Sequence, residues 1–391
     1  MQNQLTRIFL GSGLALLLVL AGCDTSGPQV APSDEEAPST PNVISGQYIV
    51  VLSGTPSKSA TDVRSVATSL LGKSGQLGAV YSNALDGFVA RGLSDAQVEQ
   101  IESDPRVDYV EKDRVVQLAP PDGKGPGGDD GGSTGQVTPY GTTRVGGPAD
   151  GTGLTAWVID SGVDLDHPDL NVDASRSATF FAKGKDSKSA DDGNGHGSHV
   201  AGTIGALNND IGTVGVAAGA TIVGVKVLDS RGSGSYSVVI DGVDYVAANA
   251  SAGDVANLSL GGPTSDALDT AVKNLADQGV LVALAAGNSG EDANLSSPSR
   301  VEYPGVYTVS AMDDTDSFAS FSNFGNPPIE FASPGVDVES TYKDGGYATL
   351  SGTSMASPHL AGILLITGAN PPTDGTVNND PDGDADPIAT L

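Results

Sequence analysis

The sequence predicts an α/β fold with a mainly parallel sheet, preceded by a small α+β domain. From residue 155 onwards short apolar runs alternate with helical patterns, the order that a parallel sheet with helices on both faces requires. Residues 46–118 show a separate, shorter set of strand and helix patterns. A stretch rich in Pro, Gly and Asp, residues 119–135, lies between the two and predicts a linker.

Length and charge limit the function classes. The 391 residues leave room for one large domain and one small one. The chain carries 48 acidic against 19 basic residues, a formal net charge of -29. That excess of negative charge argues against nucleic acid and anionic membrane surfaces as partners, because both would repel it.

The N-terminus predicts export. The apolar run at residues 8–20 is too short to span a membrane, so residues 1–22 are interpreted as a signal peptide. It ends in Leu-Ala-Gly-Cys, a pattern that resembles a bacterial lipobox, with Cys23 as the lipidated residue. Cys23 is the only cysteine, so no disulfide forms within the chain. The alternative is an ordinary signal peptide cut just before an incidental cysteine. Residues 23–45, rich in Pro, Ser and acidic side chains, predict a flexible tether.

The elements of the small domain follow from local patterns. Apolar periodicity predicts a helix over residues 60–71, and the capping box that begins at Ser94 predicts a second one. Strands are predicted at residues 48–52, as a pair within residues 79–93, and at residues 107–111.

The large domain is predicted to span residues 136–368. Its strands are expected at residues 155–160, 221–228, 254–260 and 280–285, and its helices from residue 196, at 236–249, at 265–278 and after residue 353. The remaining residues, 369–391, are acidic and are predicted to form a solvated tail. Their Asp-rich run lacks the glycine and glutamate positions of an EF-hand calcium loop.

Three motifs point to nucleophilic catalysis. Ser354, in Gly-Thr-Ser-Met-Ala-Ser-Pro-His, is placed where a turn passes into a helix, whose free N–H groups attract an anion. Asp160 ends a buried-looking strand, and His196 begins a helix of small residues. A serine nucleophile needs a base, and the base needs an orienting carboxylate. The chain order Asp, His, Ser is that of the subtilisins.

On these motifs residues 47–368 resemble a subtilisin-type serine protease, a subtilase. The resemblance implies a subtilisin-like three-layer fold. It implies that His196 takes the proton of Ser354 while Asp160 orients the imidazole. Asn288, in Ala-Ala-Gly-Asn-Ser-Gly, matches the family asparagine that helps to bind the oxyanion. Taken alone, Asp160 could be a strand-end turn residue and Asn288 a loop cap.

The resemblance also implies a peptide cleft. Two segments match the family's substrate-binding strands, between which a polypeptide substrate is held as an added strand. Their residues are Gly232, Ser233, Gly234 and Tyr236 in the first, and Ser259, Leu260, Gly261 and Gly262 in the second. Alignment on the Tyr-Pro-Gly at residues 303–305 places Glu302 at the base of the pocket for the residue before the scissile bond. A carboxylate there would favour Lys or Arg.

Residues 46–118 resemble the inhibitor I9-like propeptide of subtilases. The resemblance implies a ferredoxin-like domain that assists folding and blocks the active site until it is cut, so the chain is a zymogen and the propeptide its own inhibitor. Cleavage is expected near Leu118 and Ala119, at the end of the last propeptide strand. A lipid on Cys23, the only link to the membrane that we expect, would then remain with the propeptide. We therefore expect an envelope-anchored precursor and a mature protease released to the extracellular space.

A structural calcium ion (Ca2+) is the one cofactor that the resemblance implies. An oxygen shell of side chains and backbone carbonyls suits a hard cation. The matching residues are Gln136, Asp169, Leu207, Asn209, Ile211 and Thr213. The alternative is an ordinary Asn-rich loop.

Other interpretations remain open at this point. His196 and His199 have the spacing of a zinc pair, but no third ligand pattern accompanies them, and His199, His167 and His359 are interpreted as structural. A non-catalytic anchored binding protein with the same fold would be expected to carry a damaged triad. A serine esterase would use the same constellation, whereas the paired substrate strands favour peptides.

Overall fold

The computed structural model describes residues 42–54, 59–118 and 135–391. The predicted signal peptide, Cys23, most of the tether and almost all of the linker lie outside these residues. The predicted tether ends too late, because its residues 43–45 belong to the first strand. The small domain consists of β1 (Val43–Leu52), α1 (Ala60–Leu71), β2 (Gln76–Tyr81), β3 (Gly87–Arg91), α2 (Asp95–Glu102) and β4 (Val107–Gln117). Helix α1 has the predicted bounds, and the Ser94 capping box is present at the start of α2.

The large domain alternates strands and helices along most of its length. Its elements are α3 (Tyr140–Arg144), β5 (Ala149–Asp150), β6 (Thr155–Asp160), β7 (Asn171–Val172), β8 (Ala178–Thr179), α4 (His196–Gly205), β9 (Ala217–Ala218), β10 (Thr221–Lys226), β11 (Ser233–Ser235), α5 (Tyr236–Asn249), β12 (Val255–Leu258), β13 (Gly262–Pro263), α6 (Asp266–Ala276), β14 (Leu281–Ala285), β15 (Ser296–Ser297), β16 (Val306–Met312), β17 (Ile329–Pro334), β18 (Val338–Tyr342), β19 (Gly346–Leu350), α7 (Thr353–Thr367), β20 (Thr373–Thr376) and β21 (Pro387–Ala389).

The central sheet is parallel except at one edge. Its strand order is β20-β21-β17-β16-β14-β12-β6-β10-β7, with β8 also paired to β10, and only β20 runs antiparallel to its neighbour. The strands in the middle are apolar on both faces because helices cover both sides. One core cluster lies between the sheet and α5 and α6, and a second lies around α4 and α7. The predicted mainly parallel α/β fold is confirmed.

The small domain forms a separate antiparallel sheet that continues into the large domain. Its order is β11-β4-β1-β3-β2, so a strand of the large domain is the last member of the sheet. In its own core the apolar faces of β1, α1 and β3 pack together, with Val50, Val63 and Phe88 fully buried. The joint sheet fixes the end of β4 against the large domain.

The C-terminal residues differ from the prediction of a solvated tail. Strand β21 pairs with β17 at the edge of the central sheet, and Ile388 is fully buried. Asp386 is 1% exposed and accepts hydrogen bonds from Ser310 and Asn326. The acidic composition concealed this strand, because its three residues are too few to show an apolar pattern next to the Asp-rich run that precedes them.

None of the helices in the described part of the chain is long and apolar enough to cross a membrane.

Candidate active site

The carboxyl end of β6 and the start of α4 bring Asp160 and His196 together. Nδ1 of His196 lies 2.8 Å from Oδ1 and 2.9 Å from Oδ2 of Asp160, whose side chain is fully buried. The backbone N–H of Ser161 donates to Oδ1 of Asp160 at 2.6 Å. The carboxylate is thus fixed from the backbone side and faces the imidazole with both oxygens.

A glycine makes this approach possible. A Cβ atom at Gly197, the second residue of α4, would lie 2.0 Å from the carbonyl oxygen of Gly162 and 3.2 Å from Cβ of Asp160. Any larger residue would push α4 away from the loop after β6. The Gly-His-Gly sequence therefore positions the histidine against its carboxylate.

Ser354 is the second residue of α7 and is 9% exposed. Its hydroxyl donates to the carbonyl oxygen of Ser259 at 3.1 Å. Pro358, one helical turn later, has no N–H to donate to the backbone carbonyl of Ser354. That carbonyl accepts instead from the hydroxyl of Ser259 at 2.8 Å. Ser259 in turn accepts from Asn257, and this buried network holds the first turn of α7 on the end of β12.

Asn288 follows β14 and is anchored through its side-chain oxygen. Oδ1 accepts from the backbone N–H of Thr353 at 2.8 Å and from its hydroxyl at 3.0 Å. Since the amide is planar, Nδ2 is directed away from Thr353 and its hydrogens stay free for another acceptor. Asn288 and Ser354 line the same cavity, so that acceptor can be a substrate oxygen.

The electrostatics of His196 follow from these contacts. Burial lowers its pKa, but the charge and hydrogen bond of Asp160, with a further contribution from the charge of Asp192, raise it above the ordinary value overall. A histidine held in this way is a stronger base than a free imidazole.

The other histidines have structural surroundings, as the sequence predicted. Burial lowers the pKa of His199 to about 3 and that of His359 to about 4, so both rings are neutral. Nε2 of His199 lies 2.9 Å from the carbonyl of Val338, and Nδ1 of His359 donates to the carbonyl of Met355. The Nε2 atom of His199 therefore bonds the backbone of β18 and not His196. His167 is also buried, with Nε2 2.9 Å from the carbonyl of Gly346.

The cavity beside Ser354 contains the second predicted substrate segment. It is lined by Gln117, Leu118, Ser259, Leu260, Gly261, Gly262, Ala285, Ala286, Gly287, Asn288, Ser289, Ser296, Ser299, Asn323, Thr353 and Ser354. The lining therefore combines the candidate nucleophile, the candidate oxyanion donor and the end of the small domain. Among the residues that the structure describes, none with a charged side chain lines this cavity.

The first predicted substrate segment is paired with the chain's own strand β4. The antiparallel register aligns Ser233 with Gln117 and Gly234 with Val116, and the N–H of Leu118 donates to the carbonyl of Gly232 at 2.9 Å. Tyr236 begins α5 and is fully buried. The end of β4 thus lies in the cleft as an added strand.

Carboxylates of β4 also cap two helices of the large domain. Asp113 accepts from the N–H of Ser237 at the start of α5, and Glu111 accepts from the N–H of Ala267 at the start of α6. Helix N-termini carry free donors and a partial positive charge, so both contacts stabilise the docked small domain.

Glu302 is not where the sequence alignment placed it. Its side chain is exposed, it does not line the cavity, and its charge instead contributes to raising the pKa of Glu330. Ser296 and Ser299 of the preceding segment line the cavity, Val301 is buried, and Glu302 is exposed.

Most of the predicted calcium residues are brought together. Nε2 of Gln136 donates to the carbonyls of Leu207 and Thr213 at 2.6 and 3.1 Å, and Nδ2 of Asn209 donates to the buried Asp169 at 2.8 Å. Burial raises the pKa of Asp169. Ile211 is joined to the group only through its N–H, which donates to Oδ1 of Asn209. Among the described residues no cluster of three or more His, Cys, Asp or Glu side chains with metal-binding geometry occurs.

These residues fit a hard cation. A half-turn of the Gln136 amide would exchange its nitrogen for its oxygen. The Gln136 oxygen and the carbonyl oxygens of Leu207 and Thr213 would then face one another, and they would repel each other unless a cation lay between them. The same half-turn of Asn209 would add its oxygen next to the Asp169 carboxylate. The donor set is then oxygen only, with one carboxylate.

Several supporting residues were missed by sequence reasoning. Thr353 holds Asn288, Asn257 holds Ser259 and Ser357, and Asp192 joins the loops around His196. Their partners lie 31 to 100 residues away in sequence, apart from Ser259, which follows Asn257 by two residues, and the local contacts of Asp192. Thr353 stands beside the serine in its motif, the one signal that pointed to it.

Comparisons with known proteins identify two family matches in this chain. Residues 151–377 match the subtilase family, and residues 47–119 match the peptidase inhibitor I9 family. A cold adapted subtilisin-like serine proteinase of known crystal structure is 39% identical, covering 64% of this chain and 97% of its own, with a TM-score of 0.56.

Among curated proteins, subtilisin NAT of Bacillus subtilis subsp. natto is 35% identical over 381 residues, 95% of this chain and 91% of its own length. Alkaline serine exoprotease A of Vibrio alginolyticus is 44% identical over 302 residues, which span 74% of this chain but only 53% of that protein. M-protease of Shouchella clausii is 42% identical over 287 residues.

Proposed function

The chain belongs to the subtilase family of serine peptidases and carries an inhibitor I9 domain ahead of the peptidase domain, and from this we propose that it is an exported, self-maturing serine endopeptidase. One observation carries the proposal: the end of β4 lies antiparallel on β11, with Leu118 in the cavity that Ser354 and Asn288 line. A peptide held as an added strand next to a serine is the arrangement of a peptidase with its product.

In the proposed reaction Ser354 attacks the substrate carbonyl while His196 takes the hydroxyl proton. The Ser354 hydroxyl must first turn from the Ser259 carbonyl towards the imidazole, which requires a change of one side-chain torsion. Asp160 accepts from Nδ1 of His196, fixes the tautomer with a basic Nε2, and stabilises the imidazolium.

The negative oxygen of the tetrahedral intermediate would lie between Nδ2 of Asn288 and the backbone N–H of Ser354. The N–H of Ser354 is free for this purpose because it belongs to the first turn of α7. His196 then gives its proton to the leaving amine, the C–N bond breaks, and Ser354 carries the acyl group. Water, deprotonated by His196, attacks the ester. The bond between the acyl carbon and the Ser354 oxygen breaks, His196 returns the proton to Ser354, and the acid is released.

Maturation is proposed to occur at the end of β4. The N–H of Leu118 donates to Gly232, and Leu118 lies in the cavity beside Ser354, so we propose that the bond cut is the one that follows Leu118 or the next one along. The cleaved propeptide would stay bound through β11, the two helix caps and the buried apolar contacts of Val116. Activity would appear when this product leaves.

The specificity proposed from the cavity is for small or apolar residues before the scissile bond. The lining is formed by Ala, Gly, Ser, Thr and Leu residues with three amides, and Glu302 is absent from it. A basic substrate side chain would lose hydration without gaining a charged partner. This replaces the basic preference expected from the sequence alignment.

Calcium is proposed to bind Gln136, Asp169 and Asn209 with the carbonyls of Leu207, Ile211 and Thr213. When bound, the cation offsets the mutual repulsion of these oxygens and ties the start of the peptidase domain to two of its loops. Its role is structural, because neither Asp160 nor His196 is part of the group.

Cys23 is proposed as the lipid anchor of the precursor, which would be located in the cell envelope. The peptidase released by cleavage would be extracellular and free of lipid. Mass spectrometry of both cleavage products tests this: acyl chains belong on the propeptide fragment, and acyl chains on the mature enzyme would contradict the proposal.

A serine-directed sulfonyl fluoride tests the proposed site directly. We expect the mature enzyme to lose activity as one equivalent is incorporated, and peptide mapping to locate the label on Ser354. A label on another serine, or inactivation without a label, would overturn the assignment.

A further inference from the structure

A second carboxylate lies next to the Asp160–His196 pair. Asp192 precedes α4 and is 5% exposed. Its Oδ1 accepts from the hydroxyl of Ser161 and from the N–H groups of Asn194 and Gly195, each at 2.9 Å. Its Oδ2 accepts from the N–H and the hydroxyl of Ser198 at 2.9 and 2.7 Å.

These hydrogen bonds join the two loops that carry the catalytic pair. The hydroxyl of Ser161, beside Asp160, donates to Asp192 and accepts from the N–H of Gly197, beside His196, at 3.0 Å. The hydroxyl of Ser198 likewise accepts from the N–H of Asp164 at 2.9 Å. Asp192 is therefore the common acceptor through which the loop after β6 and the first turn of α4 hold a fixed distance.

The charge of Asp192 has no salt-bridge partner within the described residues. The buried Lys226 is close by, but its ammonium donates to the carbonyl of Ser161 and lies 3.4 Å from Asp186. N–H and O–H donors thus satisfy the Asp192 oxygens without cancelling their charge. In a buried environment that charge acts on the neighbouring imidazole with little screening.

We propose that Asp192 is a positioning residue of the peptidase that holds His196 against Asp160 and stabilises the imidazolium formed when Ser354 is deprotonated. The inference rests on the proposed roles of Asp160, His196 and Ser354. No proton passes to Asp192: the hydroxyl proton moves from Ser354 to His196, and Asp192 acts only through its charge and hydrogen bonds.

The pH dependence of His196 is set by the groups around it. Asp160 ends β6, Asp192 precedes α4, and His199 is one turn further along α4 with its pKa near 3, so it stays neutral. From β18, the phenol of Tyr342 donates to the carbonyl of Asn194, and its pKa is raised by burial, then by the charge of Asp192, so it also stays neutral. The two carboxylates are the anions that raise the basicity of the histidine.

The test compares Asp192→Asn with Ser161→Ala in the mature enzyme. Asp192→Asn keeps the shape and one acceptor oxygen but removes the charge. We expect the acidic midpoint of kcat/KM against pH to fall by about half a unit, and kcat to fall several-fold with little change in KM. Ser161→Ala keeps the charge and removes the link, so kcat should fall while the midpoint stays.

Asp173→Asn is the matched control, because Asp173 also accepts turn hydrogen bonds, from Ser175 and Arg176. Its charge, however, is not among those that shift the pKa of His196. The control should leave both quantities unchanged. An unchanged acidic midpoint in folded Asp192→Asn would overturn the proposal, whatever its thermal stability.

A second measurement tests the proposal even if the Asp192→Asn precursor fails to mature into active enzyme. In the Ser354→Ala precursor, which needs no activity, NMR titration follows the four histidines of the chain with and without Asp192→Asn. A lower pKa of His196 in the double variant supports the proposal, and an equal pKa overturns it. If Ser354→Ala leaves activity intact, the proposed function fails, whereas this titration still decides the role of Asp192.

Discussion

The side-chain oxygen of Asn288 accepts two hydrogen bonds from Thr353, one from its N–H and one from its hydroxyl. Thr353 immediately precedes Ser354 at the start of α7. The candidate oxyanion donor and the candidate nucleophile are therefore fixed to each other through one residue, so that neither can move without the other.

Asn288→Ala removes a donor that acts only on the charged intermediate. We expect kcat to fall by ~10² to 10³ with KM nearly unchanged, as is typical when one oxyanion donor is lost. Steady-state kinetics on a chromogenic peptide measures both. Asn249→Ala, at the exposed end of α5, is the control and should behave as wild type. A large rise in KM with constant kcat would show that Asn288 binds the ground state instead.

Asp244→Ala should loosen the cleaved propeptide. The Asp244 carboxylate, on α5, accepts from the N–H groups of Ser82, Asn83 and Ala84 and from the side chain of Asn83. Loss of these contacts leaves buried donors unpaired, so we expect propeptide affinity to fall about 10- to 100-fold.

The measurement for Asp244 is the lag between cleavage, followed by intact mass, and the appearance of peptidase activity. The lag should shorten, while kcat/KM of the finished enzyme stays constant. Asp314→Ala, an exposed carboxylate of the peptidase domain, should leave the lag unchanged. An unaltered lag in Asp244→Ala would contradict this role.

Asp241 should make the precursor less stable as pH rises. Burial, and then the charge of Asp244, raise the pKa of Asp241 to about 7, whereas an unfolded aspartate titrates near 4. Because the folded state holds the proton more tightly, the cost of ionising Asp241 is absent below about pH 4, builds up between pH 4 and 7, and is complete above that.

Asp241→Asn removes this cost. In the Ser354→Ala background the substitution should raise Tm clearly at pH 8 and little at pH 5. Asp108→Asn, an exposed residue of β4, should shift Tm equally at both pH values. An Asp241→Asn shift independent of pH would show that the carboxyl is not protonated in the folded precursor.

Calcium should stabilise the mature enzyme through Asp169. A ligand at 100 times its Kd adds about 2.7 kcal/mol to the free energy of unfolding, so Tm should rise with added Ca2+ and fall on chelation. Asp169→Asn should abolish this response and Asp344→Asn, an exposed loop variant, should keep it. A calcium response retained in Asp169→Asn would place the cation elsewhere.

Local patterns were sufficient for much of the fold and for the central motifs. Helix α1, the capped start of α2 and the strand that ends at Asp160 follow from periodicity and caps within a few residues. Their physics is local, so the sequence displays it directly. The His196 and Ser354 helices were found in the same way.

Contacts set by tertiary packing could not be predicted. The position of Glu302 outside the cavity depends on how its loop packs, and in that loop Ser297 pairs with Gly262, 35 residues earlier in the chain. The pairing of β21 with β17 was hidden by acidic side chains, and the five hydrogen bonds of Asp192 include partners on another loop. Such relationships appear only once the strands are assembled.

Ser354→Ala, compared with wild type in the presence of calcium, tests the central claim most directly. Intact mass follows loss of the propeptide, and casein hydrolysis follows activity. We predict that only the wild type sheds the residues up to about Leu118 and digests casein, while Ser354→Ala remains a folded, inactive precursor. Equal processing and equal activity of the two proteins would contradict Ser354 as the nucleophile.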